Sequence, residues 1–357
     1  MNVSMVDLPA RHQRVAADAE RRALEVLRSG WYIGGPNVVE LEQAMAERFQ
    51  YAHAVGVGSG TEALILGLQA MGVGPGQRVL VPALSFFATA EAVLYLGATP
   101  VFGDVLPDRP QLDAASAPTD VDAAVLVHLF GARAETPALP AGTPILADIA
   151  QCAGWGHGRP EGTAGALSLY PTKTLGAAGD AGMFLTDDPA LAERVRLLGK
   201  HGQTGPYEHA RVANTFGTSS RLDALQAALL LAHLADLDRR IACRRANAER
   251  YDEALAHLNP LPREPGDAIH HYILQVDDRE AVRAKLADAG IGSAVYYPFP
   301  MDAQPAITGL PTADLNASRF PNAVAFSRRS LAIPCHGELS DAQISYVIET
   351  VLRSTSV

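Results

Sequence analysis

Seven short apolar runs between residues 50 and 190, separated by segments with helical periodicity, restrict this chain to one class of fold. The runs occupy residues 54–57, 79–81, 99–102, 123–129, 144–148, 166–170 and 182–185. Each is apolar on both faces, as strands buried inside a parallel sheet are. Helices are predicted in the gaps at 61–71, 86–96 and 189–199, the last with Pro189 at its start. Strands alternating with helices build βαβ units, so we expect an α/β domain around a seven-stranded, mostly parallel sheet. Such sheets bind ligands at the carboxyl ends of their strands.

The chain's 357 residues exceed the roughly 250–300 at which a single hydrophobic core stops growing. We therefore expect an N-terminal segment and large domain over residues 1–240, and a small C-terminal α+β domain over 241–357. An amphipathic helix is predicted at 10–29, packed on a domain or on a partner subunit. A long helical stretch runs from 220 to 257 with a break near Leu237. Beyond the Pro-rich connector 261–266 the pattern reads strand (269–276), helix (279–289), a YYPFP loop (296–300) and two more helices.

A net charge of −10 excludes the broad basic surface that holds a nucleic-acid backbone. No apolar run approaches the roughly 20 residues of a membrane span, and the first residues lack the apolar core of a signal peptide, so a cytoplasmic protein is expected. Cys152, Cys243 and Cys335 are odd in number and far apart, which reads as reduced thiols and no metal site. Of the 29 basic residues, only Lys173, Lys200 and Lys285 are lysines, so each lysine invites the question of whether an amine is needed there.

Three segments carry candidate chemistry. Gly58-Ser59-Gly60-Thr61-Glu62 lies between a strand and a helix, where small residues and the positive end of the helix dipole favour an anion such as phosphate. Asp148 ends a buried strand at the ligand-binding edge, where its charge needs a partner. Lys173 follows another strand and opens a glycine-rich turn, the setting in which a partly desolvated amine becomes a nucleophile toward carbonyls and a proton carrier. Each segment alone also has a plain structural reading: a turn capped by Ser59 or Thr61, a helix cap, and a solvated loop lysine. Together they supply what pyridoxal 5′-phosphate (PLP) chemistry requires, namely an amine for the cofactor aldehyde, an acid for its ring nitrogen and a phosphate anchor.

Over nearly its whole length the chain resembles the DegT/DnrJ/EryC1/StrS family of PLP-dependent sugar aminotransferases, which have the aspartate aminotransferase fold, fold type I. The resemblance rests on SGWYIGGP (29–36), AVGVGSGTEAL (54–64), ATAEAV (88–93), GATPVF (97–102), VHLFG (127–131), SLYPTKTLGAAGDAG (168–182), KHGQ (200–203) and SRLDALQAA (220–228). It implies that Lys173 forms the covalent imine with PLP and that Asp148 pairs with the ring nitrogen. Gln151 would approach the cofactor hydroxyl, Phe86 would stack on its ring, and Gly60, Thr61 and Ser168 would form the phosphate cup.

Arg221 matches a phosphate-side arginine that members take from the neighbouring subunit, which implies a homodimer with shared sites. Ser219 stands where members carry an Asn reaching the same phosphate. Ala153 and Tyr296 stand where many have His, Ala181 replaces a glycine, and the stretch between His128 and Asp148 is short and too Pro-rich for the usual helix. Trp31, Lys200, His201 and Tyr296 are the candidate substrate contacts, with 202–217 read as a mobile loop able to close over a nucleotide.

The activity so implied is transfer of an amino group from glutamate or glutamine to a keto sugar, usually a nucleotide-linked one. A keto-cyclitol acceptor is the alternative, and a PLP-binding regulator without turnover is a further one.

Overall fold

The computed structural model describes residues 1–355. Seven strands form one sheet: β1 (His53–Val57), β2 (Arg78–Pro82), β3 (Thr99–Gly103), β4 (Ala123–Val127), β5 (Ile145–Asp148), β6 (Ala164–Ser168) and β7 (Gly182–Thr186). Their order is β1-β7-β6-β5-β4-β2-β3, parallel throughout except for β7, which runs against both β1 and β6. The carboxyl ends of β1, β2, β4, β5 and β6 therefore meet along one edge. The strands lie close to their expected positions, with β6 two residues earlier and β4 two residues shorter.

Helices cover both faces because successive strand residues alternate between two apolar layers. Val55, Val57 and Phe184 join one layer with α4 (Gly60–Ala70), α5 (Ala88–Tyr95) and α6 (Pro189–Leu198). Ala54, Met183 and Leu185 join the other with α3 (Pro36–Phe49) and α7 (Ala224–Ala235). The sequence reading missed α3, although Pro36 opens it and Val38, Leu41, Met45 and Phe49 bury one face at helical spacing. The single N-terminal helix expected at 10–29 is two helices, α1 (Leu8–Gln13) and α2 (Ala16–Ser29), parted where the Val15 N–H turns back onto the His12 carbonyl at 2.9 Å.

The helical stretch after residue 220 breaks at Asp236, between α7 and α8 (Leu237–Leu255). Helix α8 leads from the large sheet to a second core, built with α9 (Arg279–Asp288), α12 (Asp341–Thr355) and the antiparallel pair β10 (Tyr272–Gln275) and β11 (Ser330–Ile333). Val3 is buried in this second core and pairs with Ile291, so the chain's first residues reach across to it. The remaining helices are α10 (Pro305–Thr308) and α11 (Pro321–Arg329). Residues 202–217, expected as a loop, contain a small hairpin of β8 (Gln203–Gly205) and β9 (Glu208–His209). No helix among the described residues is long and apolar enough to cross a membrane.

One contact fixes the site's edge. Gly182 begins β7 opposite Val57, where a Cβ would stand 2.1 Å from the Ser59 carbonyl oxygen. Any larger residue must push the turn between β1 and α4 aside. Gly182→Ala is expected to lower unfolding free energy by about 1–3 kcal/mol. Gly74→Ala, where no atom lies within 4 Å of the added methyl, should change it by less than about 0.5 kcal/mol. Equal denaturant midpoints for the two variants would refute this account.

Candidate active site

A cavity of about 320 Å³ opens at the carboxyl ends of the strands, closed on its far side by residues 270–271 and 296–297 of the C-terminal part of the chain. Helix α4 begins at its floor. The Ser59 hydroxyl accepts the Glu62 N–H at 3.1 Å, which caps the helix and leaves its first N–H groups, at Gly60 and Thr61, without intrahelical acceptors. A Cβ on Gly60 would lie 2.5 Å from Ser168 Cβ, so only glycine lets this helix end approach the Ser168 side chain. The result is an anion cradle: free amides, a helix dipole and a hydroxyl on one wall.

Asp148 closes β5 and is buried. Its Oδ2 accepts from Thr89 Oγ1 at 3.2 Å, Thr89 in turn meets Ser85 Oγ at 2.9 Å, and its Oδ1 accepts the Ala150 N–H at 3.1 Å. Burial raises its pKa, against the opposing pull of the Ala150 N–H, Lys173 and Thr89. The carboxylate thus favours a further cation or N–H donor on its cavity side. Lys173 sits across from it in the loop after β6. The residue is half-buried and lines the cavity. The enclosing walls nevertheless lower its pKa, with Asp148 acting in the other direction.

Around this pair, Phe86 presents an exposed ring to the cavity 6.0 Å from the Tyr297 ring. Gln151 is buried; its Oε1 accepts the Phe130 N–H, and its side chain also hydrogen-bonds Tyr297. Tyr296 stacks on His271 at 4.1 Å, and burial lowers both His270 and His271 well below the usual histidine value. Tyr297 is pushed up by burial and by Asp148.

The expected residues Gly60, Thr61, Phe86, Asp148, Gln151, Ser168, Lys173 and Tyr296 therefore share one cavity. Trp31, Lys200, His201, Ser219 and Arg221 do not line it. Lys200 and Arg221 line a separate cleft with Gly34 and Glu42. Ser219 and Arg221, joined at 2.9 Å, border a shallow cleft that reaches Ser59 and Asp180 from outside. Trp31 is exposed, its Nε1 donating to the Ile33 carbonyl at 2.9 Å, and His201 is exposed. Sequence reading missed His128, His270, His271 and Tyr297 as site walls, and Thr89 as the buried partner of Asp148. Thr89 and His128 lay inside quoted motifs, but nothing local assigned them a contact.

A family model described as the DegT/DnrJ/EryC1/StrS aminotransferase family matches residues 13–352. The chain belongs to this family. The erythromycin biosynthesis sensory transduction protein EryC1 of Saccharopolyspora erythraea is 38% identical, the match covering 98% of this chain and 99% of that protein. The UDP-N-acetyl-3-dehydro-α-D-glucosamine 3-aminotransferase of Acidithiobacillus ferrooxidans is 37% identical, covering 99% and 98%. The crystal structure of S. venezuelae DesV in complex with a ketimine intermediate superposes with a TM-score of 0.90 at 34% identity, covering 100% of this chain and 99% of that one. This family member is a PLP-dependent aminotransferase of fold type I. The cavity fits the cofactor: the α4 amides and Ser168 suit its phosphate, the buried Asp148 suits a protonated ring nitrogen, and the Lys173 amine stands opposite.

Beside the cavity, His128 is buried with Nδ1 accepting the Ala134 N–H at 3.1 Å, and burial lowers its pKa to about 4. The folded value lies below the unfolded one, so the neutral ring stabilises the fold above pH 6.5 and that stabilisation disappears as pH falls toward 4. The loss amounts to about 3 kcal/mol. His128→Asn, which keeps an acceptor for Ala134, is expected to show a shallower fall in denaturant stability below pH 6.5 than the parent. Parallel stability curves for the two proteins would overturn the assignment.

Proposed function

We propose that this enzyme transfers an amino group from an amino acid donor, glutamate or glutamine, to a nucleotide-linked keto sugar in amino-sugar biosynthesis, working as a cytoplasmic homodimer. The observation that carries the reading is the Lys173 amine, depressed by burial, set against the buried Asp148 carboxylate at the mouth of an anion-binding helix end. When bound, PLP supplies an electron sink that makes a C–H bond of the amino donor acidic.

The chain's own residues would then do the following. Asp148 holds a proton on the ring nitrogen by staying ionised beside it, with Thr89 and Ala150 fixing its two oxygens. Lys173 anchors the cofactor and, once its amine is released from it, moves a proton from the donor carbon and later to the acceptor carbon. Gly60, Thr61 and Ser168 hold the phosphate, Phe86 covers one face of the ring and Gln151 donates to the ring hydroxyl.

The nucleotide-linked acceptor is supported by the relative that acts on a UDP-linked 3-dehydro sugar. A keto-cyclitol would need no diphosphate contact, and half-reactions with both acceptor types separate the two. The paired Lys173 and Asp148 favour turnover over a purely regulatory role.

The dimer is supported by Leu24, Leu27, Trp31, Tyr32, Ile33 and Val39, large apolar residues exposed together around α2 and α3. Arg221, Lys200 and Ser219 lie beside that surface rather than in their own chain's cavity, as residues that complete a neighbour's site would.

Lys173→Ala is expected to abolish both turnover and the visible absorption band of the bound cofactor. Asp148→Asn should keep the cofactor while slowing transamination by about 100-fold or more. Retention of band and turnover by the first variant, or near-normal rates in the second, would remove that residue from the mechanism. Mixing inactive Lys173→Ala with inactive Arg221→Ala should restore activity in hybrid dimers, one of whose sites is intact. No recovery despite demonstrated subunit exchange would argue against shared sites.

A further inference from the structure

The loop that carries Lys173 belongs to no strand or helix, so its carbonyls need hydrogen-bond donors from elsewhere in the fold. Four of them converge on two buried guanidinium groups. Arg11 of α1 donates from Nη1 to the Lys173 carbonyl at 3.0 Å and from Nη2 to the Pro171 and Gly176 carbonyls at 2.8 and 3.4 Å. Arg240 of α8 donates from Nη1 to the Thr174 carbonyl at 2.5 Å and from Nη2 to the His233 carbonyl at 2.9 Å. Both arginines are nearly inaccessible, at 7% and 2% exposure. Burying two such cations is costly, and Glu338 is the carboxylate whose charge acts on both.

We infer that Arg11 and Arg240 are positioning residues that hold the Lys173 loop in register with the Asp148 carboxylate and the cavity. The inference rests on the reading of Lys173 given above. The clamp works by geometry rather than charge: the groups acting on the Lys173 amine are Asp148 and Cys152, neither of them an arginine. It also requires a planar fork. One guanidinium reaches three carbonyls from a fixed plane, whereas the single nitrogen of lysine cannot span them. The two clamps come from opposite ends of the large domain's chain. Placement of the reactive amine thus depends on α1 as well as on the sheet.

The test uses Arg11→Met, Arg11→Lys and Arg240→Met in the full-length protein. In the cofactor-free form, amide hydrogen exchange over residues 169–177 should quicken by about tenfold in the Met variants, while α12 exchanges as in the parent. In the cofactor-loaded form, the single-turnover half-reaction with the amino donor, scaled to bound cofactor, should slow by about tenfold or more while the donor's Kd moves by less than roughly threefold. Arg11→Lys should recover only part of the rate, and it carries the test if Arg11→Met fails to fold. Parental exchange and parental rate per bound cofactor, at whatever thermal stability, would overturn the inference. Borohydride reduction and peptide mapping of the parent keep the two readings apart. Cofactor attached away from Lys173 would sink the assignment of that lysine, whereas attachment at Lys173 with unaltered variants would sink the clamp alone.

Discussion

A carboxylate taken out of water at the end of β5 is the constraint around which the site is organised. Asp148 is buried, and its two oxygens accept from a hydroxyl and a backbone N–H, neither of which carries a charge. Two neutral hydrogen bonds and a nearby ammonium do not offset full desolvation, which is why its pKa is raised. Such a residue persists because the fold gives it something to bind, and the cavity beside it has the shape and lining for a protonated aromatic ring. The same burial lowers the Lys173 amine, so one enclosed pocket perturbs a carboxylate and an amine together, the pattern expected of a functional site.

The sheet makes that pocket by direction alone. Parallel strands bring the ends of β1, β2, β4, β5 and β6 to one edge, and β7, running the other way, contributes Gly182 where it backs the Ser59 turn. The C-terminal part of the chain then closes the cavity with His270, His271, Tyr296 and Tyr297, whose aromatic and neutral imidazole faces replace water without adding charge. Chain segments remote in sequence meet at the loop after β6: α1, α8 and the His270 ring, which lies 3.3 Å from the Thr174 hydroxyl.

Much of this was legible before the structure. The paired apolar faces of the strands, the Ser59–Glu62 cap and the lysine after β6 are local patterns with local causes, and they located the sheet edge, the anion cradle and the amine. Helix α3 was legible too, since Pro36 and the spacing of Val38, Leu41, Met45 and Phe49 mark it, although the sequence reading assigned no element there. The split between α1 and α2 was not legible, because helical periodicity continues through Val15 while the chain turns there.

The sequence by itself marked the candidate residues and the edge of the sheet at which they stand, because periodicity, capping and motif spacing act over a few residues. Only the tertiary structure decided that Thr89 steadies Asp148, that His271 stacks on Tyr296, that Lys200 and Arg221 fall outside their own chain's cavity, and that Arg11 grips the lysine loop. Those contacts join residues from separate elements, set by how helices and sheet pack, and no local pattern encodes the distance between them.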